Sequence, residues 1–202
     1  RLVQDQLADP QTNVLNGEPF GTEQTTAVDM ASLFSIDTDQ LESAFQFDPG
    51  KLDDTAEKAF EQLQADAAKE GLDIYIGSDF RSYSYQVDVY ESYCETYGWE
   101  MADTFSARPG FSEHQTGLTI DCNTIDDAFG QTKEAQWLAE HCADYGFIIR
   151  FPDGKEDITG YQYEPWHIRY VGVDTAKEID QLGVSLEEYL GVQSEYTGPW
   201  EH

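Results

Sequence analysis

The chain has four histidines, and two of them, His114 and His167, lie in segments dense in groups that bind metals or move protons. Those segments are Ser112-Glu113-His114-Gln115-Thr116-Gly117-Leu118-Thr119-Ile120-Asp121 and Glu164-Pro165-Trp166-His167. Catalytic zinc sites typically take three protein ligands from His and carboxylate and keep the fourth position for water. His114, Asp121 and His167 would supply such a set. Glu164 could stand beside the metal without ligating it and take the proton from an attacking water. Pro165 argues against a regular helix here, so a bent strand must aim Glu164 and His167 inward together. Gly117 would let the chain turn back between His114 and Asp121. On residue types alone, each histidine could equally be a packed or surface residue, and that alternative stays open. His141 has no matching partner spacing and reads as structural, and the terminal His202 is assigned no role.

Other routes to hydrolysis are closed by inspection. There is no GxSxG nucleophile elbow, no lysine has a serine three positions before it, and no HExxH occurs. Phosphate loops of the GxxxxGK[ST] and GxGxxG types are absent as well. Forty Asp and Glu against 11 Lys and Arg give a formal charge of −29, which repels a phosphate backbone or an anionic membrane surface. Nucleic acid is thereby excluded as a partner. The acid excess reads either as a solvated surface adapted to salt or acid, or as a cation-attracting field over a site. Cys94, Cys122 and Cys142 show no zinc-ribbon spacing and read as small buried residues or as one disulfide and a leftover thiol.

The elements that must position these groups follow from periodicity. With 202 residues, 40% of them hydrophobic and 13% aromatic, the chain can fill the core of one domain, with or without an arm. No stretch approaches the roughly 18 consecutive apolar residues of a membrane helix. Residues 1–50 show no sustained period and are expected to form an arm lying over a domain at 51–202. Asp54-Thr55-Ala56-Glu57 resembles a capping box, and Ala56, Phe60, Leu63 and Ala67 form an apolar stripe that ends at Gly71. Leu72–Ile76, Gly117–Cys122, Phe147–Phe151 and Tyr163–Tyr170 read as strands. Tyr83–Tyr97, Lys133–Tyr145, Asp174–Gln181 and a short turn capped by Ser185-Leu186-Glu187-Glu188 read as helices. Strands and helices interleave without a βαβ rhythm, so the predicted class is α+β, a single domain with a mostly antiparallel central sheet flanked by helices.

The run Ser112-x-His114-x-x-Gly117-x-x-x-Asp121 followed by Glu164-x-Trp166-His167 resembles the zinc D-alanyl-D-alanine carboxypeptidases of the VanY type. That family shares a superfamily with lysostaphin and the hedgehog signalling domain. The likeness extends to Phe80-Arg81-Ser82-Tyr83 with Gln86, to Ser106-Ala107-Arg108-Pro109-Gly110, to Gly154–Tyr161 and to Arg169-Tyr170-Val171-Gly172, over residues 54–191.

The resemblance implies that His114, Asp121 and His167 bind Zn2+ and that Glu164 is the general base. Arg81 resembles the family's arginine facing the scissile carbonyl, where a fixed guanidinium would stabilise an oxyanion. Ser112 and Gln86 match positions that help hold the peptide's terminal residue and its carboxylate. Thr119 stands where the family usually has Ala, which implies a packing adjustment in a strand. Arg108, Arg150 and Arg169 are kept as structural, Trp166 as a wall of the site and part of the core. Glu113 is expected to point into solvent, away from its neighbour His114.

The activity implied is D,D-carboxypeptidase hydrolysis of peptidoglycan stem pentapeptides by a monomer with no protein partner. An L,D-carboxypeptidase acting on tetrapeptides and a zinc-containing wall-binding module without turnover are the alternatives. The chain begins at Arg1, and the expectation is an exported or surface-anchored protein whose leader or anchor lies outside the sequence.

Overall fold

In the computed structural model, which describes residues 50–193, helix α1 (Asp54–Lys69) buries Ala56, Phe60, Leu63 and Ala67 along one face. Its cap is Asp53, one residue ahead of the predicted box, whose carboxylate accepts from the N–H groups of Thr55 and Ala56. The arm expected over residues 1–50 lies outside the described residues apart from Gly50, as does His202.

Four short strands follow: β1 (Ile76–Ser78), β2 (Thr119–Cys122), β3 (Phe147–Ile149) and β4 (His167–Tyr170). They form one antiparallel sheet in the order β1-β2-β4-β3, so the expected class is borne out. Between and after them run α2 (Tyr83–Tyr97), α3 (Trp99–Ala102), α4 (Lys133–His141), α5 (Glu156–Thr159), α6 (Val173–Leu182) and α7 (Leu186–Leu190). The predicted helix over Lys133–Tyr145 divides: α4 ends at His141 and the last turn, Cys142–Tyr145, tightens to 3₁₀ before Gly146. The capping box at Ser185 and Glu188 forms as read.

Strand alternation separates core from chemistry. Ile120 and Cys122 on β2 and Ile168 on β4 join Phe60 and Leu63 of α1 and Leu138 of α4 in the main core. Each large side chain buried there contributes about 1.5–3 kcal/mol. The intervening residues, Thr119 and Asp121 on β2 with His167 and Arg169 on β4, therefore project from the opposite face. A smaller cluster of Ile148, Ala176, Ile179 and Leu186 packs α6 and α7 against β3. All three cysteines are unpaired; burial pushes the Cys142 thiol up to about 12.

Candidate active site

Three elements deliver the candidate metal donors. Glu113–Thr116 forms a 3₁₀ turn that carries His114, and Gly117 ends it in the left-handed region with φ 70°, turning the chain into β2 as its position predicted. In the β2–β4 ladder Asp121 is registered opposite His167. Strand β4 is shorter than read, because the His167 amide closes a turn onto the Glu164 carbonyl around Pro165 and the ladder starts only at His167. That turn, rather than a bent strand, aims Glu164 and His167 at the same point.

The donor atoms of His114, Asp121 and His167 all lie within 4.8 Å of one another. His114 Nε2 is 3.1 Å from Asp121 Oδ2, and His167 Nδ1 is 3.2 Å from Asp121 Oδ1. The Asp79 carbonyl engages His114 Nδ1, which leaves Nε2 with its lone pair facing inward. Asp121 Oδ1 is buried and accepts no well-aligned hydrogen bond despite its imidazole neighbour. An orphaned carboxylate oxygen between two imidazoles fits a cation, and two nitrogens plus one oxygen suit a zinc ion with an open fourth position.

Burial would raise the Asp121 carboxyl, but His114 and His167 hold it well below the usual range. Burial alone would lower His167; Asp121, Glu113 and Glu164 together raise it well above an ordinary imidazole. Protons and a bound cation would therefore compete for the same donor atoms.

Around the donors, one cavity is lined by Arg81, Ser112, Glu164, Trp166, Phe151 and Tyr161 among others. Glu164 Oε2 is 3.3 Å from His167 Nδ1, and an Arg81 Nη is 3.6 Å from Asp121 Oδ2. The Arg81 amide donates to the His114 carbonyl, which ties the two segments together. Ser112 precedes the 3₁₀ turn but caps no amide there. Trp166 is both wall and core, as expected. Gln86 sits behind the cavity: its oxygen accepts from Arg81 at 2.9 Å and its nitrogen donates to the Ala107 carbonyl at 2.6 Å. Arg108 pairs with Asp103 away from the donors.

Glu113 is corrected by the structure. The 3₁₀ turn rotates it inward, and it is buried in the wall of the same cavity with its Oε1 accepting from Arg150 at 2.8 Å and lying 3.2 Å from Arg169. Burial would raise its carboxyl, yet Arg150 and Arg169 hold it well below the usual range. Arg150 also forks onto Glu187 of α7, at 2.6 and 3.1 Å. Glu187 was not singled out in the sequence; its pairing spans 37 residues, beyond any local pattern.

A family model described as D-alanyl-D-alanine carboxypeptidase, VanY, matches residues 49–173. The putative carboxypeptidase YodJ of Bacillus subtilis is 43% identical over 130 residues, covering 61% of this chain and 48% of that one. The chain spans about half the length of the curated relatives it matches. Among solved structures, the L,D-carboxypeptidase DacB of Streptococcus pneumoniae superposes with a TM-score of 0.65 at 42% identity, covering 75% of this chain and 82% of that one. The vancomycin resistance D,D-pentapeptidase VanY in complex with Zn(II) gives 0.63 at 34% identity, covering 72% and 87%. By the extent of the family match and the agreement of fold, the chain belongs to the VanY family of D-alanyl-D-alanine carboxypeptidases.

Proposed function

We propose that the protein is a zinc-dependent D,D-carboxypeptidase that removes the terminal D-alanine from peptidoglycan stem pentapeptides. The observation that carries this reading is the convergence of His114, Asp121 and His167 with Glu164 and Arg81 on one cavity. The Zn(II) bound by the D,D-pentapeptidase neighbour supports the choice of metal. Such a substrate sets the working location outside the cytoplasmic membrane, with the protein exported or anchored and acting as a monomer.

His114, Asp121 and His167 would hold the zinc, which when bound would supply Lewis acidity and ease ionisation of a nearby water. The Glu164 carboxylate accepts the proton of the water that attacks the scissile carbonyl and returns it to the leaving amine. The Arg81 guanidinium, held in place by Gln86, donates to the oxygen that gains charge in the transition state, so little reorganisation is needed. The Ser112 hydroxyl is available to the peptide's terminal carboxylate, whereas Gln86 serves the substrate through Arg81. No side chain bonds covalently to the substrate in this scheme, so a fluorescent penicillin should label nothing.

The second reading is L,D-carboxypeptidase action on tetrapeptides, favoured by the 42% identity to an L,D enzyme. Mass-spectrometric detection of free D-alanine from pentapeptide and from tetrapeptide, each with and without a chelator, separates the two. Chelator-sensitive release from the pentapeptide alone supports the D,D reading, and preference for the tetrapeptide supports the L,D one. Zinc bound with no release from either would point to a wall-binding module.

A further inference from the structure

A buried chain of charges that the scheme above does not use runs from the cavity wall, which Glu113 and Arg150 help to line, back to α7. Its members are Glu113, Arg150, Arg169 and Glu187, two acids and two bases, each no more than 4% exposed. Isolated charges at such depth would be prohibitive, and here each is paired. The chain has a direction. Glu187 Oε1 and Oε2 take the fork of Arg150, Arg150 Nε donates to Glu113 Oε1, and Glu113 Oε2 points towards Nε2 of His167 across 3.9 Å.

Both atoms at that last step are buried with no hydrogen-bond partner among the described residues. The gap is about 1 Å longer than an ordinary N–H···O bond, so a small turn of the imidazole closes it. With Nδ1 turned to the donor cluster, the proton of a neutral His167 must sit on Nε2, and no other acceptor among the described residues is in place for it. A carboxylate behind a ligating imidazole fixes its tautomer and orientation. Glu187 belongs to α7, outside residues 49–173 that match the family.

We infer that Glu113 is a positioning residue for His167, accepting from its Nε2–H, and that Glu187 on α7 sets Glu113 through Arg150, making α7 part of the metal site. The inference rests on the metal reading of the site. It differs from a merely structural role for the network, because a structural role predicts lost stability and an unchanged intrinsic zinc affinity.

The test is zinc affinity of the full chain, by competition with a chelating dye, at a temperature where circular dichroism shows each variant folded. Glu113→Gln should weaken zinc binding about 10–100-fold, the range found when partners of ligating groups are removed. Glu187→Gln, which touches no donor, should shift it in the same direction by a smaller factor; it also carries the test if Glu113→Gln fails to fold. Leu63→Ala, a core truncation on α1 with no atom at the cavity, is the control: it should lower the melting temperature and leave zinc affinity alone. Parent-like affinity in the folded glutamine variants would overturn the inference while leaving the metal reading intact. Equal weakening in Leu63→Ala would overturn it too, and a parent protein that binds no zinc would overturn both.

Discussion

Asp121 and His167 stand directly opposite each other across the antiparallel ladder of β2 and β4, with His167 Nδ1 3.2 Å from Asp121 Oδ1. Two of the three candidate donors are thus spaced by backbone hydrogen bonds, and the ladder's other face is sealed by Ile120 and Ile168 in the main core. The third donor, His114, is fastened to this frame through the amide of Arg81 and the carbonyl of Asp79. A constellation carried on strands and pinned turns is set before any ligand arrives.

Metal removal should therefore leave the fold standing. After chelation the far-ultraviolet circular dichroism is expected to stay native, and zinc at about a hundredfold its Kd should then add about 2.7 kcal/mol by linkage. For a chain of this size that is a rise of roughly 5–10 °C in Tm. An apo protein with the spectrum of an unfolded chain would show that the ladder alone cannot hold the donors.

Glu164 and His114 should separate chemistry from metal holding. Glu164→Ala is expected to keep stoichiometric zinc and lose at least about a hundredfold in kcat, the low end for general acid–base catalysis. His114→Ala removes a donor atom and should lose most of its metal, read by elemental analysis after dialysis. Activity surviving in Glu164→Ala would move the base elsewhere, and full occupancy in His114→Ala would remove that residue from the donor set.

Arg81 and Gln86 form a pair in which one group meets the substrate and the other holds it in place. Arg81→Lys keeps a charge but loses the planar fork, and kcat should fall about 10²–10³-fold if the guanidinium meets the oxyanion. Gln86→Leu frees Arg81 without touching the cavity and should lower kcat about tenfold to a hundredfold through misplacement, with KM little changed. A raised KM at constant kcat would instead make Gln86 a direct contact to the peptide.

The candidate donor cluster was legible because its residues fall in two short segments: His114 to Asp121 spans one turn and one strand, and Glu164 to His167 a single tight turn. Helix periods and Gly boundaries were legible for the same reason. What local pattern could not supply was long-range pairing. Leu72–Ile76 alternates like a strand, yet only Ile76 enters β1. The backbone before it is satisfied otherwise: the Asn123 side chain bonds the Asp73 carbonyl and the Tyr75 amide, and Gln64 donates to the Ile74 carbonyl. Glu113 read as solvated on the assumption of an extended chain; in a 3₁₀ turn it faces inward to Arg150, a partner 37 residues away. Thr119 is fully buried on β2, opposite Arg169, and its hydroxyl has no hydrogen-bond partner among the described residues.

Gly77 links the sheet edge to Arg81. Ile76 pairs with Cys122 and Ser78 with Asp121, so β1 advances two residues while β2 advances one, and Gly77 is the extra residue of a bulge. A methyl group there would lie 2.5 Å from the Asn123 carbonyl oxygen and 3.2 Å from that of Asp121. Both obstacles are backbone, one in β2 beside the candidate donor Asp121 and one just after its end at Asn123, so β1 must give way. Gly77→Ala should destabilise the protein by about 1–3 kcal/mol, the usual range for overpacking, read in a denaturant titration. Because Arg81 follows β1 by three residues, its guanidinium should be displaced as well, and kcat should fall while zinc affinity, set by β2, β4 and the 3₁₀ turn, holds. A Gly77→Ala variant of unchanged stability and unchanged kcat would mean that the edge strand adjusts without moving Arg81, and that the His114 carbonyl alone is enough to hold it.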